Sequence, residues 1–250
     1  MTTAVTKQSD SLKTVLRSDA MMEQFANALP QHLSPERFVR IAITALLKTP
    51  KLNECTQASF FKCLLDLSAA GLEPDGRHAH LIPYGKECTL ILDYKGLVQL
   101  VRRSGDVAKI HADVVCENDT FAHSMGDITE HTFDLRKDRG KPYAAYAQVT
   151  LKDGSIQSEI MSFEEVEAIR NRSKAGNNGP WKTDWAEMAK KTAFRRLCKW
   201  LTLSPEAHTV ISEADETEFP RSSRKKISEA RPVPLNPFAG IEQQPEAGAE

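Results

Sequence analysis

The sequence lacks any long apolar run. No stretch approaches the roughly 18 consecutive apolar residues of a membrane-spanning helix. The polar start, MTTAVTKQSDSLKTVLRSDA, contains no apolar segment of the kind found in a signal peptide. The 250 residues are enough to bury a sizeable core, and 40% of them are hydrophobic. We therefore expect a globular protein of the cytoplasm.

Cysteine is scarce and irregularly placed. The five cysteines, an odd number, are Cys55, Cys63, Cys88, Cys116 and Cys198. Their wide spacing matches neither a disulfide framework nor a metal-binding cluster. We expect free thiols in a reducing compartment.

Motifs for nucleotide hydrolysis and nucleophilic catalysis are missing. Gly85 and Lys86 are followed by Glu87, so the phosphate-binding G-x-x-x-x-G-K-[ST] loop is absent, and so is G-x-S-x-G. His78 and His80 have the H-x-H spacing, but no neighbouring residue completes a zinc site. The sequence therefore predicts no catalytic residue, no bound metal and no cofactor, ATP included.

One short pattern does imitate a nuclease site. P-D at Asp75, followed by D-Y-K from Asp93 to Lys95, is typical of sites in which two carboxylates hold Mg²⁺ and a lysine supports attack on a phosphodiester. Such a degenerate pattern also arises by chance, and an Asp before Gly is common in turns. A Mg²⁺-dependent nuclease using Asp75, Asp93 and Lys95 is the alternative function.

Charge is nearly balanced overall but unevenly distributed. The net charge is −1. Residues 206–250 contain nine Asp or Glu and five Lys or Arg, a net of −4, which leaves +3 for residues 1–205. Residues 170–199 contain nine Lys or Arg and two acids, a net of +7. This local excess says more about an anionic partner than the total does.

The pattern along the chain predicts a compact single domain of the α+β class. Helices are expected from Ser34 and Thr56, each an N-cap type before apolar residues at helical spacing. HAHLIPYG with CTLILDY predicts one hairpin, and YAAYAQVTLKDGSIQSEIMS predicts another with a type I′ turn at residues 153–154. A capping box of Ser162 and Glu165 begins a further helix. The result is antiparallel hairpins and sheet packed by helices.

The ends of the chain differ from its middle. Residues 1–20 are polar and are expected to be mobile. Residues 21–211 form the folded domain. Residues 212–250 are acidic and rich in proline, so we expect a disordered tail, suited to binding a partner.

The segment GPWKTDWAEMAKKTAFRRLCKWL predicts the end of a loop, which contains Trp181, followed by an amphipathic helix with Asp184 as its N-cap. At about 100° per residue, alanines and leucines gather on one side with Trp200, which we expect to pack in the core. The cations on and beside the opposite side are Lys190, Lys191, Arg195, Arg196 and Lys199. A solvated basic face is the usual meaning of such a charge run. The shortage of acids in the segment favours the other interpretation, a surface that binds an anion.

A second basic group lies in YKGLVQLVRRSG. Tyr94 could stack on a base, and Lys95, Arg102 and Arg103 could contact phosphates. Arginines at the end of a helix also complement the helix dipole without any ligand. Both interpretations fit the sequence.

Three segments occur in the order GLEPDGRHAHLIPYG, LDYKGLVQLVRRSG and RSKAGNNGPWKTDWAEMAKKTAFRRL. Together they resemble the RecT family of phage-type single-strand annealing proteins, over about Met21 to Ile211. The resemblance implies an ATP-independent recombinase that binds single-stranded DNA and anneals it to its complement without covalent chemistry. On this resemblance the DNA-binding positions are Lys95, Arg102, Arg103, Lys174, Asn177, Lys190, Lys191, Arg195 and Arg196.

The resemblance also implies partners. Residues 21–211 would bind single-stranded DNA and annealed duplex and would assemble with other copies into rings or helical filaments. A partner exonuclease and single-strand-binding protein are further expected partners, and Mg²⁺ could influence annealing without being a cofactor. The nuclease interpretation is weakened, because D-Y-K-G then belongs to a structural and DNA-binding turn. A passive protein that binds single strands without annealing them is a further alternative.

Overall fold

Short polar side chains begin the helices of the N-terminal half. The computed structural model describes residues 12–173, 176 and 179–219. The helices are α1 (Asp19–Ala28), α2 (Pro35–Lys48) and α3 (Gln57–Ala69). The side chains of Ser18, Ser34 and Thr56 accept hydrogen bonds from backbone N–H groups of the first turns, which have no partner within the helix. A 3-10 helix, Pro50–Glu54, joins α2 to α3.

Seven strands occupy the middle of the described chain, and every pairing among them is antiparallel. They are β1 (Ala79–Tyr84), β2 (Glu87–Leu92), β3 (Val107–Cys116), β4 (Thr120–Ser124), β5 (Asp127–Thr132), β6 (Pro142–Leu151) and β7 (Ile156–Ser162). Helix α4 (Tyr94–Arg103) lies between β2 and β3. β1 and β2 form a hairpin, β4 and β5 form another, and β3, β6 and β7 form a sheet with β6 at its centre.

Four helices complete the described chain: α5 (Phe163–Arg172), α6 (Pro180–Thr183), α7 (Trp185–Leu197) and α8 (Pro205–Glu218). Ser162 and Glu165 form the expected capping box at the start of α5. Ser204 caps α8, and Pro205 at its first position suits the fixed φ of proline. No helix in the described ranges is both long and apolar enough to cross a bilayer.

The three-stranded sheet is covered on both faces. α7 packs on β3, β6 and β7, where Ala145 and Ala147 are fully buried in the same core as Ala193 of the helix. The other face carries Tyr146, which packs with Phe121 and Ile128 of the β4–β5 hairpin. Alternation of side chains along β6 produces this two-sided arrangement.

A buried ionic network holds the β4–β5 region to the sheet. Arg139 donates from Nε to Asp119 Oδ1 at 3.0 Å and from Nη2 to Asp119 Oδ2 at 2.7 Å. His131 Nε2 lies 3.2 Å from Asp119 Oδ2, and its Nδ1 lies 3.0 Å from the Tyr146 hydroxyl. The hydrogen bonds from Arg139 lower the pKa of Asp119 from 3.8 to about 2.

The α+β class and the antiparallel hairpins are confirmed, and the five cysteines are free and buried. The type I′ turn is wrong. That turn requires positive φ at both central residues, whereas Met125 is the only non-glycine with positive φ in the described ranges. Gly154 takes the positive φ alone, while the Asp153 side chain accepts from the backbone N–H of Ser155.

The two ends of the folded part extend further than the sequence indicated. Residues 12–16 are helical, and Leu12 and Leu16 are fully buried, so the mobile segment expected over residues 1–20 does not include them. The tail expected from residue 212 overlaps α8, which continues to Glu218 with Ala214 buried. Residues 1–11 and 220–250 lie outside the described residues.

Trp200 is not a core residue. Its side chain is 74% exposed. The prediction assumed that the helix continues to residue 200, but α7 ends at Leu197.

Asp119→Asn should lower the free energy of unfolding near neutral pH by about 3 kcal/mol, because it removes one partner of a buried ion pair. The folded-state pKa of Asp119 is depressed from 3.8 to about 2, so its contribution is present above the unfolded value and is lost as pH falls through the folded one. Urea denaturation between about pH 7 and pH 2 should show the difference from wild type shrinking as the acid is protonated. Asp127→Asn, at an exposed position of β5, is the control, and equal effects of the two substitutions would contradict this role.

Candidate nucleic-acid interface

Helix α7 uses small side chains to approach the sheet. Ala189 and Ala193 are fully buried, and Leu197 is 1% exposed. Alanine has no bulk beyond Cβ, so the helix backbone can lie close to β6 while its longer polar side chains extend outwards. The apolar side of the expected amphipathic helix is therefore confirmed, apart from Trp200.

A groove of about 720 Å³ lies among α7, α4, β3 and the β1–β2 hairpin. Its apolar lining consists of Ile82, Ile91, Val98, Ile110, Ala112, Met188 and Phe194. Tyr84, Tyr94 and Trp181 also line it. A largely apolar lining of this kind suits the flat faces of sugars and bases, provided that cations are available for phosphates.

Three of the predicted cations, Arg102, Lys190 and Lys191, line the groove. Arg102 is exposed and has no ion-pair partner among the described residues. Lys190 Nζ lies 2.6 Å from Glu187 Oε1, but the glutamate side chain is 69% exposed. Solvent screens such an exposed ion pair, so the interaction contributes little to stability. Lys190 can therefore exchange its carboxylate partner for a phosphate.

Lys191 lies deeper than Lys190. Its side chain is 14% exposed, and Nζ is 3.7 Å from Glu218 Oε1 of α8. Burial lowers the pKa of Lys191, and the nearby Arg195 guanidinium lowers it further. An additional anion in the groove would restore the pKa of this ammonium group.

Lys95 stands at the edge of the groove. Its Nζ lies 5.7 Å from the centre of the Tyr94 ring, and Tyr94 is 50% exposed. Asp93 begins α4 by accepting a hydrogen bond from the backbone N–H of Lys95. An exposed ring of this kind can stack on a base, and the cation beside it can bind the phosphate of the same nucleotide.

Arg195 does not lie on an open face as the sequence suggested. It is 4% exposed, and Nη2 donates to Glu218 Oε2 at 2.7 Å. Nη1 is 3.7 Å from Asp215 Oδ1 and has no hydrogen-bond partner in the described part of the chain. The segment itself is short of acids, as the sequence shows, but acids of α8 pair with Lys191, Arg195 and Lys199, so these cations are not unpaired.

Arg196 and Arg103 also have protein partners. Arg196 is paired with Glu159 at 2.6 Å and with Glu165 at 3.0 Å. Arg103 donates from Nη1 to the Ala70 carbonyl oxygen at 2.7 Å and from Nη2 to the Gly71 carbonyl oxygen at 2.8 Å. Neither lines the groove. The roles of Arg103 and Arg196 as DNA contacts therefore stay predictions that this geometry does not support.

Lys174 and Asn177 lie outside the described residues. Ser173 and Pro180, on either side of that segment, line the groove. Between them, a Cβ on Gly176 would come 2.2 Å from the Arg170 carbonyl oxygen. Glycine is therefore required at position 176, where any Cβ would collide with the Arg170 carbonyl oxygen near the end of α5.

The acids of the alternative nuclease site have local structural roles. Asp75 Oδ1 accepts from the backbone N–H of Arg77 at 2.8 Å and of His78 at 2.7 Å, as in a turn. Asp93 caps α4. Within the described ranges, no group of three or more His, Cys, Asp or Glu side chains is arranged to hold a metal ion.

Two residues of the site were missed by sequence reasoning. Trp181 was placed in a loop, but it is 2% exposed in α6 and lines the groove. Glu218 was placed in the tail, but it is 9% exposed and lines the same groove. The i, i+3 spacing of Asp215 and Glu218 after a Ser-Pro helix start was the available signal.

Comparisons with known proteins agree with the resemblance. The model of the RecT family matches residues 36–231. Protein RecT of Escherichia coli (strain K12) is 41% identical over 226 residues, which cover 86% of this chain and 83% of that protein. The uncharacterized protein YqaK of Bacillus subtilis (strain 168) is 26% identical over 218 residues, which cover 85% of this chain and 75% of that protein.

Arg102→Ala and Arg103→Ala should affect different properties although the residues are adjacent: the first should affect DNA binding and the second should affect stability. Arg102→Ala should weaken binding of single-stranded DNA and reduce the salt slope by about one, with stability unchanged. Arg103→Ala should lower the free energy of unfolding by about 2 kcal/mol through loss of charged hydrogen bonds. Fluorescence anisotropy with an oligothymidine and urea denaturation measure the two quantities. The groove assignment fails if Arg102→Ala leaves affinity and salt slope as in wild type.

Proposed function

Because the chain belongs to the RecT family of single-strand annealing recombination proteins, we propose that it binds single-stranded DNA along the groove and pairs it with a complementary strand without ATP. The observation that carries this proposal is the convergence of Arg102, Lys190 and Lys191 on one apolar groove. Tyr94 and Lys95 at its edge supply a stacking surface and a further cation.

Phosphate contacts account for sequence-independent binding. Lysine and arginine neutralise phosphates and release condensed counterions, which supplies affinity that falls with salt. Such contacts position a strand without reading its bases. A protein that anneals any complementary pair requires this property.

Strand pairing needs no covalent step. A strand held by its backbone keeps base edges available to a complement, and duplex stacking of about 1.4 kcal/mol per step then drives product formation. The energy source is pairing itself, so neither ATP nor another cofactor is required. We expect Mg²⁺ to influence annealing only by screening phosphate repulsion.

Assembly and partners extend the proposal. Copies of the chain arranged in a ring or helical filament would hold many nucleotides in register. An exonuclease would supply single strands, and single-strand-binding protein would meet the protein on them. Family membership supports single-strand binding and self-association, and the exonuclease and single-strand-binding protein are part of the proposal.

Lys190→Ala combined with Lys191→Ala should weaken single-strand binding and slow annealing of complementary oligonucleotides, with a salt slope lower by about two. Lys109→Ala combined with Lys152→Ala is the matched control, because both lysines are exposed and neither lines the groove. Anisotropy and an annealing time course measure the effects. Unchanged annealing and salt slope in a folded groove variant would show that the groove does not hold the strand.

Strand length separates annealing from the nuclease alternative. Labelled single strands incubated with the protein and Mg²⁺ should keep their length on a denaturing gel, while complementary strands pair faster than without protein. Shortened strands, lost on Asp75→Asn or Asp93→Asn, would support the nuclease. Intact strands that pair no faster would support a passive binding protein.

A further inference from the structure

The helices α7 and α8 are electrostatically complementary. α7 carries Lys190, Lys191, Arg195 and Arg196 against Glu187. α8 carries five acids and no Lys or Arg. Ion pairs from the end of α8 reach Lys191, Arg195 and Lys199.

Glu218, the last residue of α8, makes the innermost of these contacts. One carboxylate oxygen is 2.7 Å from Arg195 Nη2 and the other is 3.7 Å from Lys191 Nζ. Its side chain is 10% exposed, and it lines the groove together with Lys190 and Arg102. A carboxylate held between two cations at this place occupies the position that a phosphate of a bound strand would take.

The two buried cations are not fully satisfied by this single acid. Arg195 Nη1 is buried without a hydrogen-bond partner in the described part of the chain. Asp215 is the other nearby acid, at 3.7 Å, and it is already paired with Lys199 at 2.6 Å. A phosphodiester has two free oxygens and can take donors from both cations.

We propose that Lys191, which lines the groove, and the buried Arg195, which contacts the lining residue Glu218, form a phosphate subsite, and that Glu218 occupies it until a strand displaces the carboxylate. The inference rests on the proposed function, since it names a subsite of the same groove. Exchange of one monoanion for another keeps the buried charge balanced. The strand must move the last turn of α8 and the following residue Phe219, whose ring lies 5.0 Å from the Arg195 guanidinium.

This exchange couples binding to the position of α8. Only those molecules in which the Glu218 carboxylate has left the subsite can bind a phosphate there. The apparent affinity for the strand is therefore reduced in proportion to the fraction of such molecules. A strand whose other phosphates contact Arg102 and Lys190 can compete with the Glu218 carboxylate for the subsite, whereas an isolated phosphate cannot. The subsite thus favours polymeric DNA over small anions.

Glu218→Gln tests the exchange. The amide oxygen can still accept from Arg195, but it carries no charge to compete with a phosphate. We expect at least about fivefold tighter binding of an oligothymidine, and a salt slope steeper by about one, because the freed cations then release counterions on binding. The matched control is Glu216→Gln, which makes the same charge change at an exposed residue without an ion-pair partner among the described residues. Equal affinities of the two variants would overturn the proposal.

Hydrogen exchange on the wild-type protein gives a second test that does not depend on a variant folding. Amides of the last turn of α8 should exchange faster when an oligothymidine is bound, while those of α7 are protected. Unchanged or slower exchange in that turn would overturn the displacement even if Glu218→Gln unfolds. If the wild-type protein binds no oligothymidine, the proposed function fails; if it binds with α8 undisturbed, only the subsite assignment fails.

Discussion

The structure depends on α7 being held from two sides. Ala189 and Ala193 pack one side of α7 against the sheet. On another side, carboxylates of α8 form ion pairs with cations of α7 and with Lys199, which follows it. Without Glu218, the buried Arg195 guanidinium would lack its hydrogen-bonded counterion, a costly arrangement in a low-dielectric interior. The acidic helix is therefore part of the fold and at the same time part of the groove.

The opposite wall of the groove depends on a close backbone approach. α4 begins directly after β2, and a Cβ on Gly96 would come 2.2 Å from the His78 carbonyl oxygen. Only glycine permits this approach, which brings Tyr94 and Arg102 to the groove. Two helices fixed in different ways thus present cations to one largely apolar groove, and the proposed phosphate binding rests on that geometry.

Local signals were readable from the sequence, and contacts between distant residues were not. Ser34, Thr56 and Ser162 cap helices as expected, because capping involves neighbours within one turn. Arg195 pairs with an acid 23 residues away and Arg196 with one 31 residues away. In the sequence, the positive charge of these two residues therefore seemed to have no acidic partner. Lys190, Lys191 and Arg102 were recognisable as candidate cations, whereas the burial of Trp181 and the pairing of Glu218 with Arg195 depend on tertiary packing.

Photo-crosslinking tests the central claim, that the groove holds the single strand. An oligothymidine carrying photoreactive bases would be crosslinked to the full chain, and the attached peptides would be identified by mass spectrometry. The account predicts crosslinks in α4 around Tyr94 and in α7 around Met188 to Lys191, because both line the groove. Crosslinks confined to the β4–β5 hairpin or to the face that carries Arg196 and Glu159 would contradict it.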